Sequence, residues 1–237
     1  ADPTRGSPRT ATLPHYMMVL TLPSWPVSHF VTNTFIVTAG VLVGRIVTAS
    51  LVAYGFARVR FPGRDILFMV VLSTIMVPLQ VTMIPTYILF KLLGWLGTFL
   101  PLIVPAFGGG GAFYIFLLRQ FVMSVPLELD DAARIDGCGR LGIYWRIVLP
   151  LLKPGLVAVV IFSFMDTWND FLQPLLYLTN PKHHTLAIAL RSFVGVGFMW
   201  PELSFAATVV VMIPPLLVFF FGQNLFVQGA ALSGIKG

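Results

Sequence analysis

Apolar residues fall in five long blocks along this chain, at 30–57, 66–93, 100–122, 155–178 and 205–227, and the polar residues collect between them. A bilayer core about 30 Å thick takes about 20 helical residues to cross. Each block is long enough, so the expected fold is all-α: a polytopic membrane helical bundle with five spans. No repeat of solenoid period and no low-complexity linker divides it. Residues 1–29 are expected to form an external N-terminal segment, 30–227 the transmembrane domain and 228–237 a short tail. Pro78 and Pro85 stand inside the second block, where each removes a helix hydrogen bond and clashes with the preceding turn. Such breaks persist in lipid only where neighbouring helices or water satisfy the freed groups, a condition met along a transport pathway. The four glycines at 108–111 lack a following Gly-Lys-Ser/Thr and open an apolar run. They read as a site of close helix packing, not as a phosphate loop.

Composition agrees with the blocks. Of 237 residues, 57% are hydrophobic and 10% charged, against roughly 25% charged in soluble domains. Mean hydropathy is +0.88. A disordered chain, a collagen-like chain and a disulfide scaffold are excluded, the last because Cys138 is the single cysteine. The net charge of +6 fits a membrane orientation signal better than a nucleic-acid partner, because the basic residues lie between the spans and form no stripe. Arg58, Arg60, Arg64, Arg119, Arg134, Arg140, Arg146, Lys153 and Lys236 fall on one side, which makes nine. Arg5, Arg9, Lys91, Lys182 and Arg191 fall on the other, which makes five. The denser side is expected to be cytoplasmic, with the N-terminal segment outside and the C-terminus inside.

One stretch is too polar to span. Residues 124–154, on the cytoplasmic side, begin a helix at Pro126 with Glu128, Asp130 and Asp131 in its first turns, as the helix dipole favours. Gly137 and Gly139 are placed to end it in a left-handed cap. A second short helix then presents Tyr144, Trp145 and Ile147 before Pro150. The pair reads as two short helices lying flat under the membrane, suited either to docking a soluble partner or to covering the bundle.

Asp131-Ala132-Ala133, Asp136-Gly137 and the sequence from Ile147 to Pro150 resemble the EAA loop of ABC-importer permeases, in particular the carbohydrate branch that includes the second permease of the maltose system. The resemblance covers nearly the whole chain. It includes Asn33-Thr34, Ala53-Tyr54, the run from Ala57 to Gly63, Trp168-Asn169-Asp170-Phe171, Pro174-Leu175, Pro214-Pro215 and the Gly-rich ending. It implies the type I importer permease fold. The family usually has six spans, and the first is the one missing from the five seen here. It further implies a non-catalytic subunit that forms half of a translocation path with a second permease subunit. Two ATP-binding cassette subunits and an extracytoplasmic solute-binding protein would complete the complex in a prokaryotic inner membrane. No cofactor or metal is expected on this chain, and ATP and Mg would bind the partner ATPase subunits. The ATPase-coupling set it implies is Glu128, Asp130, Asp131, Ala132, Ala133, Asp136 and Gly137. The family's Glu stands here as Asp131, one methylene shorter, with Glu128 and Asp130 near enough to share its role. Cys138 takes a place where the family more often has Ala and reads as a small buried thiol.

Charges inside the spans supply a candidate path. An intramembrane arginine costs about 3 kcal/mol on insertion scales and should face the bundle interior or a water path. Arg45 is such a residue, and Asp166 and Asp170 share one face of the fourth span. Trp168 and Asn169 lie beside them, and with Arg45, Asp166 and Asp170 they make the candidate translocation lining. A structural pairing of Arg45 with Asp166 or Asp170 is the alternative. The solute stays open between an oligosaccharide and a glycerol-phosphate-type anion. From other classes, an ion-coupled secondary transporter built on Arg45, Asp166 and Asp170 remains, and an intramembrane enzyme is disfavoured because His183-His184 form no HExxH.

Overall fold

A computed structural model describes residues 13–21, 25–196 and 201–234, and every regular element among them is helical. Thirteen helices are used below: α1 (Leu13–Thr21), α2 (Val27–Arg58), α3 (Arg64–Ser73), α4 (Leu79–Leu92), α5 (Leu100–Ile103), α6 (Ala112–Ser124), α7 (Leu127–Ile135), α8 (Arg140–Ile143), α9 (Leu149–Leu151), α10 (Lys153–Trp168), α11 (Leu172–Tyr177), α12 (Leu186–Val196) and α13 (Pro201–Gly234). Short 3₁₀ turns follow α3, α5 and α11, and a π-helical turn, Tyr144–Val148, joins α8 to α9. The chain is an all-α bundle.

Three segments among the described residues are long and apolar enough to cross a membrane, Val27–Arg58, Leu100–Ser124 and Glu202–Gln223, and counting each of two bent helix pairs as one span brings the number to as many as five. The bent pairs revise two expected spans. The second block turns by 96° between Met76 and Leu79, where Pro78 removes the N–H that would have continued the ladder. The fourth is displaced: α10 begins at Lys153 and stops at Trp168, and α11 is a separate short helix. Its other arm is Arg140–Leu151, bent by 73° from α10 at Leu152, so the chain turns after Leu151 and not at Pro150. Residues 13–21 form α1, packed on α13 with Val19 fully buried, and residues 1–12 lie outside the described set. At the other end α13 continues through Gly234, where a tail from 228 was expected, and Lys236 is outside the described residues.

Unlike Pro78, Pro214 and Pro215 do not interrupt their helix. Pro215 has no N–H for the Val211 carbonyl four residues back. The indole Nε1 of Trp168 donates to that carbonyl instead, at 3.3 Å. A neighbouring span thus satisfies the group that proline frees, as lipid requires.

The long helix α2 is the axis against which α6, α10 and the α5 turn pack. Small residues make this possible. A Cβ on Gly40 or Gly44 would lie within 3.0 Å of Ile103 or of Phe107 and Ala106. Gly110 has φ +76°, and a Cβ there would come within 2.7 Å of the Ala49 Cβ. Close packing at the glycine run is therefore real, and both backbone sign and space demand glycine at Gly110.

Candidate functional site

Two polar regions lie along α2, one near its middle and one at its C-terminal end. The first is a cavity of about 170 Å³ between α2, α5, α10 and α11, lined by Arg45, Asp166, Asp170, Gln173, Thr34 and Thr185 among others. Arg45 is held by three partners. Its Nη1 lies 2.8 Å from Asp166 Oδ2 and donates to Tyr114 Oη at 3.0 Å and to Ser163 Oγ at 2.9 Å. The guanidinium also sits 4.7 Å from the Tyr114 ring centroid, within cation–π range. Of the two possible pairings, the structure forms the one with Asp166. Asp170 instead accepts from the Gln173 amide at 3.2 Å, at the start of α11. The cavity therefore carries one cation against two carboxylates.

Two of the proposed lining residues are not in it. Trp168 is buried, stacked on Phe164 at 5.1 Å and turned toward α13, where its N–H meets Val211. Asn169 is exposed and donates to the Met165 carbonyl at 2.7 Å. Helical rotation explains Trp168, which sits about 200° round α10 from Asp166, whereas Asn169 follows the last residue of α10 and caps that helix. Sequence reasoning missed Thr34 and Thr185. Thr34 Oγ1 accepts the Leu186 amide at 2.8 Å, and Asn33 Nδ2 donates to the Lys182 and His184 carbonyls at 2.9 and 3.0 Å. The Asn33-Thr34 pair therefore pins the 180–186 loop to α2. His183 contacts the Gly97 carbonyl and Phe99, and neither histidine lines the cavity.

The second region is the α7 segment. Pro126 precedes α7 in an extended conformation, and Gly137, with φ +81°, ends it as its position predicted. The Cys138 amide closes the turn on the Ala133 carbonyl at 2.8 Å. Cys138 itself is half-buried. Within the expected coupling set, Glu128, Asp131, Ala132, Asp136 and Gly137 are exposed, whereas Asp130 and Ala133 are buried. Burial removes these two from a contact surface. Asp130 Oδ2 lies 3.5 Å from Arg58 Nε, long for a hydrogen bond, so charge holds the pair. Arg58 Nη2 also donates to the Val125 carbonyl at 2.5 Å. Asp131 pairs with Arg134 at 2.9 Å on the surface.

The second short helix likewise presents less than expected. Tyr144 is buried, with its hydroxyl 2.7 Å from Ser50 Oγ, and Ile147 is half-buried. Trp145 alone of the three stands out, beside the exposed Leu141. Tyr54 Oη donates to the Arg140 carbonyl at 3.0 Å. The C-terminal end of α2 thus grips the segment through Ser50, Tyr54 and Arg58, one helical face at spacings of four.

The described residues thus combine broken helices, a polar cavity in mid-bundle and a short acidic helix gripped at one end. The model of the binding-protein-dependent transport system inner membrane components matches residues 40–231, and the chain belongs to that family. It is 33% identical over 230 residues to an arabinooligosaccharides transport system permease protein of Halalkalibacterium halodurans, covering 97% of this chain and 81% of that one. It is 34% identical over 209 residues to an sn-glycerol-3-phosphate transport system permease protein of Yersinia pestis, covering 87% and 73%. A chain of a bacterial ABC transporter that imports the acidic polysaccharide alginate shares the fold, with TM-score 0.76 at 22% identity over 90% of this chain and 79% of that one.

Proposed function

We propose that this permease forms half of a path for a carbohydrate and is driven by separate ATP-binding subunits that dock on α7. Residues 124–154 lie on the cytoplasmic side in this reading, a second permease completes the path, and an external binding protein delivers the solute. ATP and Mg act on the partner subunits. The observation that carries the coupling half is the division of α7 into two faces. Asp130 and Ala133 anchor it, and Glu128, Asp131, Ala132, Ile135 and Asp136 remain exposed. An apolar residue as exposed as Ile135, at 87%, within a short acidic helix fits a protein partner.

The cavity's charge favours a neutral hydroxylated solute. Arg45 is the one cation in the cavity lining and is already paired with Asp166, so no unpaired cation is left there to hold an anion. A glycerol-phosphate-type solute, as the relative in Yersinia pestis is named for, is therefore the second reading. In the complex reconstituted with its ATPase subunits and binding protein, Asp131→Lys is expected to abolish stimulated ATP hydrolysis. Full stimulation in that variant would remove Asp131 from the docking face.

A further inference from the structure

A strongly basic recess opens where α2, α3 and α7 meet. It encloses about 590 Å³ and is lined by Arg58, Arg60, Arg64, Arg134 and Arg140, with Asp131 as the one acid on its wall. Three of the five guanidiniums have carboxylate partners: Arg58 with Asp130, Arg64 with Asp65 and Arg134 with Asp131. Arg60 and Arg140 have no ion pair among the described residues, and both are exposed. The recess therefore holds two uncompensated positive charges.

Its position selects the anion. A second hollow, of about 420 Å³, shares Arg60 and Arg64 and continues past Phe61 to Ile66. From there the surface becomes apolar, with Ile66, Leu67, Met69 and Val70 all exposed along α3, one arm of a bent apolar helix pair. Guanidiniums thus stand at the N-terminal end of an apolar helix, with an exposed apolar shelf directly beyond them. The recess also lies to one side of the docking face. Leu127, Asp131 and Arg134, at spacings of four and three, share the flank of α7 that lines it. Glu128, Ala132 and Ile135 lie about 100° further round. Asp131, at the edge between the two, is shared with the proposed docking face, whereas Arg60 and Arg140 stand off α7, on the α2–α3 turn and on α8.

The geometry points to a binding site for the phosphate headgroup of an anionic phospholipid, held by Arg60 and Arg140 with its acyl chains along α3. Arginine suits this role because its planar fork donates two hydrogen bonds to phosphate. A lipid bound here bridges the α2–α3 turn to the α7–α8 segment, and so ties local lipid composition to the position of the coupling helix.

The full chain in its detergent-solubilised complex can be titrated separately with dioctanoyl phosphatidylglycerol, dioctanoyl phosphatidylcholine and inorganic phosphate. Phosphatidylglycerol is expected to bind saturably and at least tenfold more tightly than the other two. Each basic residue near an anionic headgroup contributes about fivefold, so Arg60→Gln with Arg140→Gln should weaken binding roughly 25-fold. Raising salt from about 0.05 to 0.5 M should weaken the wild-type interaction as well. The proposal fails if phosphatidylcholine binds equally well, if inorganic phosphate binds as tightly as the lipid, or if the double variant keeps full affinity. Should the double variant not fold, Arg60→Gln alone provides the same test at about fivefold.

Discussion

Two arginines on α2, thirteen residues and about 20 Å apart along the helix, meet their aspartates in opposite surroundings. Arg45 and Asp166 line an open cavity, and their side chains are 20% and 61% exposed. Arg58 and Asp130 are sealed, at 4% and 1%. Screened pairs contribute little to stability, whereas a buried pair becomes costly as soon as one partner is lost. The first arrangement suits contact with a passing solute, since water and hydroxyl groups can compete for its charges. The second suits transmission of force, since nothing competes for it and it joins a span to α7, the helix proposed to dock the ATP-binding subunits.

The largest effect should come from breaking the sealed pair. Arg58→Ala or Asp130→Ala strands a buried charge and is expected to cost about 3–5 kcal/mol. Denaturation of the solubilised complex would show it. Replacing both at once, Arg58→Met with Asp130→Leu, should recover most of that stability. A double variant as unstable as the singles would mean that charge pairing is not what holds α7. Next comes Trp168→Phe, which leaves the Val211 carbonyl unmet beside Pro215 and should cost about 1–3 kcal/mol. Uptake per folded complex should stay normal, and a selective loss of uptake would return Trp168 to the cavity lining. The smallest stability effect belongs to the open pair. Asp166→Asn should shift the unfolding midpoint by the equivalent of no more than about 1 kcal/mol, yet lower solute uptake. A large loss of stability there would erase the contrast between the two ends of α2.

Much of this was legible in the sequence because in lipid the cost of polar placement dominates. A lone Arg45 in an apolar block had to find an anion, and the helical spacing of Asp166 and Asp170 put both within its reach. Gly137 and the glycine run were equally legible, since a left-handed cap and a close helix approach each demand that residue. What escaped was direction about a helix axis. Trp168 is a neighbour of Asp166 in the chain, but two residues turn by about 200°, so adjacency pointed the wrong way, and Asn169 falls just past the end of α10. Asp130 and Asp131 show the same limit, because nothing local tells which of two adjacent acids faces Arg58. The uninterrupted α13 depends on a partner remote in sequence. Trp168 rescuing the Val211 carbonyl is a tertiary contact that no local pattern encodes.

The most direct test of the division between cavity and coupling helix is the number of solute molecules imported per ATP hydrolysed. It would be measured in vesicles containing the complete transporter with its binding protein. Asp166→Asn should leave stimulated hydrolysis near wild type while uptake falls, so the ratio drops. Asp131→Lys should bring hydrolysis and uptake down together. Stimulated hydrolysis lost in Asp166→Asn, or retained in Asp131→Lys, would contradict the assignment of solute contact to the middle of α2 and of coupling to α7.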